Sequence, residues 1–493
     1  MQRKFFTNLL LLLFLNILIK PFWIFGVEVG VQNAVGESTY GFYFVILNLT
    51  LVLNILLDLG ITNYNNKNIA QHHFLLQKHL GNIIAIRFLL ALIYALVIFF
   101  IAYIFNYDAH KIYILSILVI NQILSSFILY LRSNLSGLHL FKTDSFISIL
   151  DKSLMIIILS ILLWGGVTDQ KFQIEWFVYS QTAAYVLTFL VTLIAVLNKS
   201  GRIKVKFDLA FFLAFFKKSY PYALLIFLMA FYNRFDSVMI DAILPKEITN
   251  TVSENLTGHF QAGVYAQAYR ILDGVSQFGY LFAALLLPIF ARMIKKKENI
   301  GQMLQLSYSL IIVPAIILAI SSSVFSAEIM NLLYNKGTEF SAPIFSIIIL
   351  GFISISTTYI FGTLLTANGS LKYLNIMAVI GIIANLSINL SLIPNFYALG
   401  AAYSSLITQS ITALTQIIIA WKIFNLKFNY FYILKIIVLA IISYFFAKYF
   451  QLQFNNPWLA LLSTIGTAVI FSILIKLLNI KDLFMILKDS QRE

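Results

Sequence analysis

Six charged side chains stand inside long apolar stretches of this 493-residue chain, where charge is least expected. They are Lys20, Arg234, Asp236, Asp241, Arg270 and Asp273. At bilayer depth one such charge costs roughly 2.5–3.5 kcal/mol, so it persists where water or an opposite charge compensates it. A guanidinium group binds phosphate oxygens through two parallel hydrogen bonds. These residue types suggest a site that holds an anionic group rather than a site that makes or breaks bonds.

Helical spacing shows which of these charged side chains can lie on the same face of a helix. Arg270 and Asp273 are three residues apart and share a helix face, so an ion pair within the helix and a cavity-facing site stay equally open for them. Arg234 and Asp236 lie about 200° apart around a helix, whereas Arg234 and Asp241 share a face about 10 Å apart along the axis. For Lys20 and Arg234, which have no acid one turn away on their own helix, a water-filled cavity is favoured. The predicted substrate-binding residues are Lys20, Arg234, Arg270, Asp236 and Asp273.

A second charged group lies near the predicted cytoplasmic ends of the apolar segments. It consists of Asp58, Arg87, Asp151 and Lys152. Asp58 and Arg87 are candidates for a gate that pairs when the cavity faces outward. For Lys152 we favour a simpler role, in which its long side chain reaches the cytoplasmic interface.

Composition indicates a membrane protein. Hydrophobic residues make up 60% of the chain and charged residues only 11%, against roughly 25% charged in soluble globular proteins. There are no cysteines, which excludes disulfides, thiolate metal sites and a cysteine nucleophile. The six histidines form no cluster at membrane depth, so we expect no metal and no cofactor. The net charge of +14 fits the positive-inside rule better than nucleic-acid binding.

The apolar segments predict an all-α polytopic membrane protein with about 14 transmembrane helices, since a spanning helix needs about 20 apolar residues. The predicted spans are 5–26, 41–63, 83–105, 112–132, 146–167, 177–197, 219–244, 261–290, 303–325, 343–366, 373–393, 400–421, 433–450 and 458–478. With the N-terminus inside, 22 basic residues fall on the cytoplasmic side and 4 on the other. This asymmetry places both termini in the cytoplasm, with the chain in the cytoplasmic (inner) membrane.

An internal repeat suggests two copies of one unit. Gly36-x4-Gly41-x-Tyr43 opens the second span and Gly258-x4-Gly263-x-Tyr265 opens the eighth. Corresponding spans are six apart, which is an even number, so the copies are parallel. We predict two pseudo-symmetric six-helix lobes, 1–197 and 219–424, a basic cytoplasmic linker at 198–218, and an extra helix pair with a cytoplasmic tail at 425–493.

Several motifs resemble polysaccharide-export flippases of the Wzx type, which belong to the multidrug/oligosaccharidyl-lipid/polysaccharide exporter superfamily. They are Tyr40-Gly41-x-Tyr43, Leu57-Asp58-Leu59-Gly60, Ala367-Asn368-Gly369, Asn385 to Asn389 with Pro394, and Leu399-Gly400-Ala401-Ala402. The resemblance runs over most of the chain. It implies two lobes around a central cavity, alternating access, and a polyprenyl-pyrophosphate-linked oligosaccharide as cargo. Other polysaccharide-assembly membrane proteins are possible partners, and nucleic acid is not.

Three alternatives differ in cargo or in class. A lipid II flippase and a cation-coupled multidrug exporter share the implied fold, although the exporter needs a cation-binding acid at membrane depth that the first half hardly offers. A membrane-embedded transferase would need an outer catalytic loop, and the longest outer connection is only about 16 residues. We therefore expect a transporter and not an enzyme.

The predicted topology has a direct test in the cysteine-free chain. Single cysteines introduced at Lys111, Lys246 and Lys336 should react with an impermeant thiol reagent added outside. Cysteines at Lys204 and Lys296 should react only after permeabilisation. The reverse labelling pattern would contradict the orientation.

Overall fold

A computed structural model describes residues 15–16, 18–62, 65–66, 69, 72, 74–167, 169–200, 209–246, 253–426 and 429–478. The beginning of the first predicted span, linker residues 201–208 with Lys204, and the tail from 479 onward lie outside the described residues. Throughout the described part every regular element is helical and no strand occurs, which confirms the all-α prediction.

The α-helices follow the predicted apolar segments. In the first half they are α1 (Val29–Val35), α2 (Glu37–Val52), α3 (Leu75–Ile104), α4 (Ala109–Gly137), α5 (Phe141–Trp164), α6 (Ile174–Ser200), α7 (Leu209–Arg234) and α8 (Asp236–Ile243). The second half contains α9 (Gly258–Lys295), α10 (Ile300–Val324), α11 (Ser326–Leu333), α12 (Thr338–Ile348), α13 (Gly351–Ala367), α14 (Leu371–Phe424), α15 (Tyr430–Gln453) and α16 (Pro457–Leu474).

Several predicted spans are interrupted helices. A π-helix, Phe22–Glu28, directly follows Pro21 and precedes α1, because proline removes a backbone donor and disturbs the regular ladder. A 3₁₀ turn, Asn54–Leu57, follows α2. The first span therefore extends to Val35, nine residues beyond its predicted end at 26. The second begins at Glu37 and not at 41.

The number 14 stays a prediction. By length and apolarity, ten helices of the described part could cross a membrane, or eleven if α7 and α8 form one span bent by 49°. Half of the first predicted span lies outside the described residues, and in the second the 3₁₀ turn follows an α2 of only 16 residues, fewer than the 18 that the test requires. The 54-residue α14 covers two predicted spans, since Tyr397 has non-helical φ and ψ of 54° and −136°.

Residues 1–263 and 264–493 form two compact units. The boundary falls inside α9, later than the predicted linker at 198–218, because α7, α8 and the first turns of α9 pack with the first half of the chain. The predicted lobes 1–197 and 219–424 remain a prediction.

Each unit has its own apolar core. In the first unit a cluster joins α3, α4, α5 and α6 around Leu80, Tyr130 and Ile147. In the second, α10 packs against α15 and α16 around Ile316, Leu439 and Ala468. The extra C-terminal helix pair is thus part of the core of the second unit.

The two glycines of the repeated motif meet each other. Gly41 lies near the N-terminal end of α2, and Gly263 lies near the N-terminal end of α9. A Cβ on Gly41 would overlap the carbonyl oxygen of His259 and stand 2.5 Å from the Gly263 nitrogen, and one on Gly263 would overlap the carbonyl oxygen of Glu37. The α2 and α9 backbones are therefore in direct contact, an approach that only glycine permits.

This contact predicts that the stability of the protein falls steeply when a side chain is added at either glycine. Gly41→Ala and Gly263→Ala should each destabilise the protein by about 1–3 kcal/mol or more, because backbone and not a flexible side chain must move. Thermal unfolding of the purified protein in detergent measures the effect. Gly466→Ala in α16 is the matched control, since its Cβ meets nothing within 4 Å, and it should be neutral or stabilising by up to about 1 kcal/mol. Equal stability of the three variants would contradict the close contact.

Candidate functional site

Arg234 lies at the C-terminal end of α7, one residue before the bend. Its Nη1 is 3.4 Å from the Oδ1 of Asn48 on α2, and the Asn48 amide donates to the Ser237 hydroxyl at 2.9 Å. Asp236, the first residue of α8, is 1% exposed. The predicted cation Arg234 is thus half-buried within a polar group that also includes a side chain of the second span.

The bend at Phe235 corrects one expectation. On a continuous helix Arg234 and Asp241 would share a face, but α7 and α8 meet at 49°. Arg234 contacts Asn48, whereas Asp241 pairs with Lys111 Nζ at 3.6 Å and His259 Nε2 at 3.1 Å. Helical periodicity cannot be carried across a break in the backbone, which explains the error.

Asp241 lies at the centre of a group of side chains whose proximity the sequence did not predict. We call it the Asp241 cluster: Phe42, Lys111, Asp241 and His259. The Phe42 ring stacks on His110 at 5.2 Å and meets His259 edge-on at 5.6 Å, and Lys111 Nζ is 6.0 Å from the centre of that ring. Lys111 and His259 each lie just before a predicted span, at 112–132 and 261–290, so the sequence indicates only the position of Asp241 inside an apolar segment.

Lys20 lies in a different part of the first unit. It interacts electrostatically with Lys152, Asp151 and Arg132. Lys152 Nζ is 5.0 Å from the centre of the Trp23 ring and 5.7 Å from that of Tyr185.

Lys152 is therefore placed among aromatic rings of the first and sixth spans, where cation–π contact favours a charged group. Glu28, which is 5% exposed, also interacts with it. Sequence reasoning did not include Glu28 or these rings. In the sequence, the only pointer to this group is that Lys20 and Trp23 lie in the same apolar segment.

Arg270 and Asp273 lie in the second unit, on α9. Arg270 is buried and its Nη1 is 3.8 Å from the Asp273 Oδ2, so the shared helix face predicted from their spacing is present. At this distance the pair is an ion pair without a close hydrogen bond. Both the cavity role and the structural role predicted for these residues remain compatible with this geometry.

Asp58 and Arg87 are brought together in the first unit. The Arg87 side chain is 1% exposed. It donates to the Asp58 carboxylate, to Thr62 Oγ1 at 2.8 Å and to both oxygens of Ser126 at 2.8 and 2.9 Å. Its guanidinium also lies 4.7 Å from the centre of the Tyr130 ring.

These contacts join the end of the second span to α3 and α4. All the partners named here come from the first predicted lobe. The role of Asp58 and Arg87 as gate candidates is untested by this arrangement. Among the described residues no group of three or more histidines and acids could hold a metal ion.

Known proteins give this geometry a context. The structure resembles a lipid II flippase MurJ in an inward closed conformation, with a TM-score of 0.64, 17% identity and 98% of each chain covered. It also resembles an inward-facing multidrug resistance MATE family transporter of the MOP superfamily, with a TM-score of 0.62, 10% identity, and 82% of this chain and 94% of that chain covered.

A third similar structure is a MOP superfamily transporter from Pyrococcus furiosus that is described by a binding pocket of reverse polarity. Its TM-score is 0.52, with 12% identity, 86% of this chain and 95% of that chain covered. No curated protein matches the chain significantly in sequence. These likenesses identify a shared transporter fold.

The sequence supplies the family itself. Residues 7–294, more than half of the chain, match the family described as polysaccharide biosynthesis protein. With the fold of MOP superfamily transporters around its buried charges, the chain belongs to the polysaccharide biosynthesis protein family.

Proposed function

We propose that this protein is a flippase that translocates a polyprenyl-pyrophosphate-linked oligosaccharide across the cytoplasmic membrane by alternating access, for surface polysaccharide assembly. The observation that carries the proposal is the family match over residues 7–294, in a chain that keeps buried arginines in its spans. The protein performs no reaction of its own. Its partners are the lipid-linked cargo, the bilayer and other polysaccharide-assembly membrane proteins.

The physical problem for such cargo is its pyrophosphate. The anionic group loses its hydration as it crosses the apolar layer, and the cost is highest midway. Lys20, Arg234 and Arg270 would replace part of that hydration, while Asp236 and Asp273 temper the attraction so that the cargo can also leave. A guanidinium suits this task because it binds phosphate oxygens in a bidentate manner.

A lipid II flippase is the second candidate. The fold likeness to MurJ extends over 98% of this chain, against 82% for the multidrug resistance transporter. The two flippases differ in the glycan. Complementation separates them: the gene should restore surface glycan to a strain lacking its polysaccharide flippase and should not restore growth to a strain depleted of its lipid II flippase.

Removing a cavity cation should reduce export without loss of protein. Arg234→Ala, and equally Lys20→Ala, should lower surface glycan by roughly tenfold or more. A charge-assisted hydrogen bond contributes about 1.5–3 kcal/mol, and each 1.36 kcal/mol is tenfold in rate. Surface glycan is measured against the amount of protein in the membrane. Lys372→Ala, which removes an exposed cation, is the control and should export normally.

Arg270 distinguishes the cavity role from a structural one. If the pair with Asp273 only stabilises α9, Arg270→Ala should lower the protein level, and Arg270→Ala with Asp273→Ala should restore both level and export. If Arg270 holds cargo, both variants should lose export at normal level. Normal export by well-expressed Arg234→Ala protein would contradict the cavity proposal.

A further inference from the structure

Helix α2 is fastened along its length to α8, to the connection after α8 and to the beginning of α9. Near its N-terminal end, Ser38 Oγ donates to Glu254 Oε1 at 2.9 Å. One turn further, Gly41 contacts the backbone at His259 and Gly263. Two turns beyond, Asn48 donates to Ser237 at 2.9 Å. We call this line of contacts the α2 seam, and the topology inferred from the basic residues places its Ser38 end outside.

The Asp241 cluster lies beside the seam, and its two oppositely charged side chains are buried while His259 is 25% exposed. The side chains of Lys111 and Asp241 are 8% and 6% exposed. Lys111 comes from α4, whereas Asp241 and His259 come from α8 and α9. Lys111 Nζ is also 5.3 Å from the centre of the Tyr107 ring. In the connection before α4, burial and the nearby Asp241 carboxylate raise the pKa of Tyr107, so this ring stays neutral and can face the ammonium group.

The contacts of this cluster differ from those of Arg87, which donates several hydrogen bonds. Asp241 Oδ1 and His259 Nε2 are 3.1 Å apart, yet neither atom has a hydrogen-bond partner among the described residues. The Lys111 contact is longer, at 3.6 Å. The Asp241 carboxylate therefore lies close to the Lys111 ammonium group and the His259 ring, and its Oδ1 accepts no well-aligned hydrogen bond among the described residues. Once water enters, each charged group gains hydration in place of its partner, so opening is compensated.

From this geometry we infer that the Asp241 cluster is a latch on the outer side, and that its ion pair between Lys111 and Asp241 must break before the α2 seam can part and release cargo. The inference rests on the proposed transport function, because alternating access requires the first predicted lobe, with α2 and α4, to separate from the beginning of the second. The latch assigns a role to Lys111, Asp241 and His259 that is separate from binding the cargo.

The latch is tested by accessibility, which does not depend on knowing the cargo. Ser237→Cys puts a single thiol at a position that is 1% exposed, four residues deeper along α8 than Asp241. In otherwise unchanged protein in intact cells, an impermeant maleimide added outside should label it slowly. Asp241→Asn and Lys111→Gln should each speed labelling by about tenfold or more, because an unpaired buried charge favours the open, hydrated state.

Two controls define the result. Glu298→Gln breaks an exposed ion pair of similar length, Lys296 to Glu298 at 3.7 Å, and should leave labelling unchanged. Labelling in permeabilised cells and thermal unfolding show whether a variant is merely misfolded. If Asp241→Asn does not accumulate, Lys111→Gln decides the outcome, since it keeps the pair between Asp241 and His259.

A cross-link tests the need for opening. A short thiol cross-linker joining Ser38→Cys and Glu254→Cys should hold the seam closed and stop glycan export, and cleavage of the linker should restore it. Unchanged labelling in both latch variants, or normal export by cross-linked protein, would overturn the latch. If the cargo were not a lipid-linked glycan, export would fail as a readout in every variant, while the labelling results would stand.

Discussion

A charge taken out of water must find compensation, and this single constraint organises the polar interior of the protein. With only 11% charged residues, the chain keeps several of its charges inside spans. Arg87, Lys152, Arg234 and Asp241 each lie beside an opposite charge, an amide or an aromatic ring. Removing one member would leave the other uncompensated at a cost of several kcal/mol. These groups therefore fix which helices lie side by side.

The breaks in the helices are explained by the same need to compensate buried polar groups. The backbone bends at Phe235, between Arg234 and Asp236, so these two side chains have different surroundings. Pro21 introduces the π-helix that carries Trp23 and Glu28 toward Lys152. Irregular backbone is tolerated at membrane depth where it is buried in protein or lines a water-filled cavity. The interruptions thus coincide with the residues that carry charge.

The features that could be predicted from the sequence are those that depend on local residue pattern. Apolar length gave the helices, and the i, i+3 spacing gave the shared face of Arg270 and Asp273. The repeated motif drew attention to Gly41 and Gly263, although only the structure shows that these glycines touch. The partners of Asp241 could not be predicted, because Lys111 is 130 positions away in the chain and no periodic pattern links them. The pairing of Lys20 with the Lys152 group was missed for the same reason.

Two ion pairs of the first unit, Arg87 with Asp58 and Lys111 with Asp241, differ in the hydrogen bonds that surround them. Arg87 donates hydrogen bonds to Asp58, Thr62 and Ser126, so its displacement would cost several directional bonds at once. Asp241 instead lies between the Lys111 ammonium group and the His259 ring, without a well-aligned hydrogen bond at Oδ1 among the described residues. The pairs thus differ in the number of aligned hydrogen-bond donors, and the less exposed carboxylate, Asp241, has the fewer of them. The proposed alternating access would need both kinds of contact: some that keep a moving part intact, and some that hydration can replace. We expect the second kind wherever a buried charge is held by neighbouring charge alone.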